Sequence, residues 1–112
     1  MSREETARRK HKEGNNCAVS VYSSFFDRIS GVAPTPRSEG GKCGALLAGE
    51  KALSQMGLST EAFNQEFLRL FGSLKCSDLR KARIPCNDLV DTAARLVILI
   101  MFMWKKPANQ NI

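Results

Sequence analysis

At 112 residues the chain has the length of one domain, and its 43% apolar content suffices to bury a core without disulfide or metal staples. Seventeen Lys and Arg against eleven Asp and Glu leave a net charge of +6, yet none of the few aromatics sits inside a basic cluster. That pattern excludes a base-stacking surface for single strands, and no specific nucleic-acid partner is expected. The longest apolar run, residues 96–104, is nine residues long. A membrane span needs about 20, so no span is expected.

Residues 1–13 read as a charged N-terminal helical arm without a convincing apolar stripe, free to fray. The N-terminal charges have no apolar run behind them, so no signal peptide is expected and the chain reads as cytoplasmic. Residues 14–112 read as a single all-helical domain carrying four cysteines. Residues 2–28 form one helix or two collinear ones, with a break at Gly14 and a fresh cap at Asn15 or Asn16. Beyond the break, Cys17, Val21, Ser24 and Phe25 share one face, with Ala18, Tyr22, Phe26 and Ile29 beside them. Residues 30–42 hold Pro34, Pro36 and a Gly pair, the composition of a mobile loop.

Gly40-Gly41-Lys42-Cys43 then turns into a helix of small residues running to Gln55 or Met56. A cysteine at a helix start lies near unpaired N–H groups and the positive end of the helix dipole, which favours thiolate over thiol. Gly44, Ala45, Ala48 and Gly49 leave part of that helix almost without side chains, open to another backbone or a cofactor. The plain alternative is a helix-packing seam around a buried, inert cysteine. Gly57 stops this helix and Ser59 caps the next, whose Phe63, Phe67, Leu70, Phe71 and Leu74 follow helical spacing and read as core. Gly72 ends its regular part.

Cys76 falls in a turn, and Ser77-Asp78 opens a further helical turn. Pro85 suits the first position of the last helix, with Cys86 directly after it. The stripe of that helix runs through Leu89, Ala93, Leu96, Val97, Ile100, Met101 and Trp104, and Cys86 is expected on it. Phe102 and Met103 fall off the stripe. The extra apolar side predicts either a homodimer through the C-terminal helix or packing of the N-terminal helix there. No strand-like alternation occurs, so the fold class is all-α, a compact bundle of four to five helices.

Cys17, Cys43, Cys76 and Cys86 contain no C-x-x-C pair, and His11 is the lone histidine. Zinc-ribbon, thioredoxin and covalent-haem signatures are therefore absent, as is a Cys–His nucleophile pair in the core. No acid–base pair for catalysis stands out, and no catalytic residue is assigned. Four thiolates gathered into one pocket would suit a metal or an iron–sulfur cluster, although spacing alone does not bring them together.

Four blocks carry a resemblance: Asn16-Cys17-Ala18, Cys43-Gly44-Ala45 after a Gly-rich loop, 72–79 around Cys76, and Cys86 ahead of 89–94. In cysteine order the chain resembles the redox-active family named for a C…GCAxxG…C…C pattern, over roughly residues 14–100. The second block departs from that pattern: Lys42 precedes the cysteine, Gly44 follows it, and Leu47 stands where a Gly is expected. The family is similar to the non-haem part of split-Soret cytochromes, where a like set of cysteines goes with a two-iron, two-sulfur cluster. By that resemblance Cys17, Cys43, Cys76 and Cys86 are the cluster and metal ligands, with no haem. The implied function is electron transfer or redox sensing with an electron-transfer partner of unknown identity. Two alternatives remain open: a metal-free thiol–disulfide protein using Cys43 or Cys86, and a non-catalytic helical interaction module whose cysteines are merely buried.

Overall fold

Apolar residues recurring every three or four positions dictate helices, and the computed structural model forms them throughout. It describes residues 2–109, with side chains as far as residue 103. Six helices follow in order: α1 (Arg3–Lys12), α2 (Cys17–Ser23), α3 (Gly44–Gln55), α4 (Thr60–Phe71), the short α5 (Cys76–Lys81) and α6 (Cys86–Asn109). The fold is all-α, and among the described residues there is no strand. Trp104, expected on the last stripe, lies outside the residues whose side chains are described.

α6 is the axis of the bundle, with α1, α2, α3 and α4 packed around it. Its Leu89, Val90, Ala93, Ala94, Leu96, Val97 and Ile100 are buried in the common core. α3 is buried from Gly44 through Gly49 and again at Ala52 and Leu53. Small residues make that depth attainable: a Cβ on Gly49 would stand 2.3 Å from Cζ of Phe63. The α4 ring therefore rests directly on α3 backbone. Phe63 and Phe67 are fully buried, whereas Leu70, expected in the core, is 47% exposed because it turns off the Phe stripe.

The first two helices are not collinear. Gly14 takes a left-handed φ of 102°, and the Asn15 amide donates to the Lys10 carbonyl, so the chain reverses. Asn16 then caps α2, its side-chain oxygen accepting from the Val19 N–H at 2.8 Å. The start of α1 consequently meets the end of α2. Arg3 donates to the Ser24 carbonyl at 2.9 Å and to both Asp27 oxygens, and its guanidinium stacks 5.0 Å above the Phe25 ring. α1 is also held on α6 by Arg8 with Asp91 and Arg95 with Glu4. Ala7 is fully buried between its neighbours. The charged arm is thus docked through ion pairs and one small residue, which an apolar stripe would not reveal.

The Pro- and Gly-bearing loop is tied to the body at several points. Tyr22 donates its hydroxyl to the Ser30 carbonyl, Gln55 bonds both Ser30 backbone groups, and Lys51 reaches the Val32 carbonyl. At the loop's end a single antiparallel bridge joins Lys42 to Lys75. The Cys43 N–H donates to the Leu74 carbonyl at 2.9 Å, and the Cys76 N–H to the Gly41 carbonyl at 2.8 Å. Two distant segments are thereby clamped side by side, one residue before each cysteine.

Candidate functional site

Each of the four cysteines stands at a helix start. Cys17, Cys76 and Cys86 are the first residues of α2, α5 and α6, and Cys43 is the N-cap of α3. For Cys43 and Cys86 this agrees with the sequence reading. Asn16, one of the two expected caps, makes Cys17 the first residue of α2, and Lys75 moves the α5 boundary onto Cys76, which was expected in a turn. A helix start leaves N–H groups without intrahelical acceptors, and sulfur can take them.

The hairpin, the Lys42–Lys75 bridge and the α5–α6 turn bring these starts together. All four cysteines line one cavity of about 370 Å³, together with His11, Arg37, Leu79, Arg80 and Leu89. No carboxylate lines it. A cavity of similar size, about 380 Å³, lies between Arg3, Arg28, Met101 and Phe102 and contains no cysteine.

Cys43 is buried at the floor, Cys17 and Cys76 are half-buried, and Cys86 is exposed at the rim. The exposure of Cys86 corrects the expectation that it lies on a buried stripe. As the first residue of α6 it precedes the buried run, which begins at Leu89.

Cys17 is the centre of the group. Its sulfur accepts hydrogen bonds from the Cys43 and Cys86 thiols and from the N–H groups of Ala45 and Ala18. These bonds outweigh burial and hold Cys17 well below the usual thiol range. Donation to Cys17, with burial added, pushes Cys43 and Cys86 up. The sequence pointed to Cys43 or Cys86 as the activated thiol because each begins a helix. In the structure the N–H of Ala45 on α3 and that of Ala18 serve the sulfur of Cys17 on α2, which favours the thiolate there.

Gly44 explains how that sulfur comes so close. A Cβ at Gly44 would lie 2.6 Å from Cys17 Sγ and 3.0 Å from the Pro36 ring. The bare backbone is thus filled by a neighbouring sulfur, while Gly49 is filled by Phe63. Sequence reasoning missed Pro36, Arg37 and Arg80 as cavity residues. Their only signal was position, close before Cys43 and close after Cys76.

Four sulfurs with no carboxylate beside them are the chemistry of zinc or iron–sulfur ligation rather than of hard cations. Among the described residues, no three His, Cys, Asp or Glu side chains stand as a closed ligand set for one metal ion. The sulfurs share a cavity, and their donor chemistry fits a sulfur-bridged group spanning it. Compared with family models, curated proteins and solved structures, the chain finds no match.

Proposed function

We propose that the protein carries an iron–sulfur cluster on Cys17, Cys43, Cys76 and Cys86 and serves in electron transfer or redox sensing. The observation that carries this reading is the convergence of four helix-start cysteines on one cavity that no carboxylate lines. The resemblance to the C…GCAxxG…C…C redox family adds support through the order of its cysteines. When bound, the cluster supplies one-electron chemistry.

The protein's own part is binding and electrostatics. The four cysteines would ligate as thiolates and release their thiol protons as the cluster is bound. N–H groups of Ala18 and Ala45 remain aimed at Cys17 sulfur, and such bonds to ligating sulfur raise a reduction potential. Arg37 and Arg80 at the cavity act in the same direction by favouring the more negative, reduced form. Cys86 at the rim keeps the path to solvent short.

Anaerobic purification followed by iron and acid-labile sulfide analysis tests the reading. The expected result is coloured protein with both elements present, and less of both in Cys17→Ser and Cys43→Ser. Colourless protein without iron, or zinc without sulfide, overturns it. A second reading, metal-free thiol–disulfide exchange, is favoured by the direct contact of the Cys17 sulfur with the Cys43 and Cys86 thiols. Thiol counts and peptide mapping after oxidation separate the two, since only the second predicts a reversible bond from Cys17 to one of those partners.

A further inference from the structure

Several arginines away from the cysteine cavity are held by carboxylates, and among the described residues the two that line it are not. Arg3, Arg8, Arg69 and Arg95 are each bonded to carboxylates. Arg37 and Arg80, exposed at the cavity, make no ion pair or side-chain hydrogen bond among the described residues. Asp78, the acidic residue nearest Arg80 in sequence, is engaged instead by the Ser73 hydroxyl at 2.8 Å. Lys75, Lys81 and Arg83, on the segment that carries Cys76, are also exposed.

Backbone geometry sets Arg37 apart a second time. Arg37 and Arg83 are the non-glycine residues with left-handed φ, at 63° and 60°, among the described residues. A side chain at such a φ is disfavoured, and glycine or asparagine fits there more easily. Both positions carry a long cation instead, on the two segments that flank the cysteines. Strain retained beside a reactive group points to a use for the side chain.

We infer that the mouth of the cysteine cavity is the docking face for an acidic partner protein, anchored on Arg37 and Arg80. This rests on the redox reading of the same cavity and names the chemistry of its partner. A free guanidinium pairs with carboxylates in a bidentate manner, and a one-signed rim steers an oppositely charged surface to the exposed Cys86 edge. A nucleic acid is the poorer fit, because no described Phe, Tyr or Trp lines the cavity for a base to stack on.

The test measures binding of a polyglutamate peptide to the full-length protein, with a single-stranded oligonucleotide as comparator, at two ionic strengths. The double variant Arg37→Glu/Arg80→Glu is expected to weaken polyglutamate binding by about tenfold at low salt and to flatten its salt dependence. The charge-matched variant Lys51→Glu/Arg69→Glu should stay within about twofold of the parent. Arg37→Gly keeps a backbone suited to its φ, so it should fold as well as the parent and still bind more weakly. Equal losses in both charge-matched double variants, or an oligonucleotide that binds more tightly than polyglutamate, overturn the inference. Iron and sulfide measured on the same samples separate the two claims. Cluster-bearing protein indifferent to Arg37 and Arg80 removes the docking face alone, and cluster-free protein with arginine-dependent binding removes the cluster alone.

Discussion

Gly44 and Gly49 sit five positions apart on α3 and make different demands. At Gly44 an added methyl meets a sulfur at 2.6 Å, and at Gly49 it meets an aromatic ring at 2.3 Å. Overpacking of a tight core costs about 1–3 kcal/mol, so Gly44→Ala and Gly49→Ala should both lower the denaturation midpoint. Only Gly44→Ala should also lower the iron and sulfide content, because it displaces the Cys17 sulfur. Asp27 offers a pH test at the same scale. Its carboxyl is drawn from 3.8 down to about 2, chiefly by the hydrogen bond from Arg3. A carboxylate more acidic in the folded chain stabilises the fold above its unfolded pKa and loses that contribution as pH falls through the folded value. The stability difference between parent and Asp27→Asn should therefore be constant above about pH 4, shrink towards pH 2 and vanish below it. Asp27 is exposed, so the difference is small and falls with salt.

At the scale of elements, the site depends on where helices begin. Asn16 caps α2 and so fixes Cys17 as its first residue. Loss of such a cap costs roughly 1 kcal/mol. Asn16→Ala should show that loss in urea melts, and anaerobic iron content should fall with it because Cys17 shifts. The α1–α2 hairpin presents His11 to the cavity, a consequence of the reversal at Gly14 that a collinear pair would lack. α5, only six residues long, hangs from the Lys42–Lys75 bridge and the buried Leu79. Its brevity suits a segment whose task is to hold Cys76 and Arg80 beside the other helix starts. The periodicity of α3, α4 and α6 was readable because each has a long apolar stripe. α1 was read as a free arm because its contacts are ionic and its one buried side chain is an alanine.

For the molecule as a whole, α6 has two apolar aspects. One is the core stripe, and the other leaves Leu99, Phe102 and Met103 exposed at 54%, 69% and 60%. α1 packs on α6 without covering them, so the packing alternative accounts for only part of the surplus. The homodimer expected from this surplus is checked by sedimentation. Met103→Glu should lower the mass at high concentration, and an unchanged mass removes the dimer. No described helix is long and apolar enough to cross a membrane, as the shortness of the 96–104 run implied.

The helical class, the positions of most caps and the greater part of the core were legible in the chain because they depend on neighbours within a turn or two. Gly72, Ser59 and the Phe63–Phe67 spacing act locally, and the structure uses them as read. The gathering of Cys17, Cys43, Cys76 and Cys86 was not legible, since it depends on a hairpin, one antiparallel bridge and the axis of α6. The same holds for which thiol loses its proton. Helix-start logic pointed to Cys43 or Cys86, but acidity also depends on which groups from other elements surround a sulfur, and those around Cys17 include Ala45 of α3 and Cys86 of α6. Local pattern decides where helices run, while contacts between residues far apart in sequence decide which sulfur becomes the centre of the site.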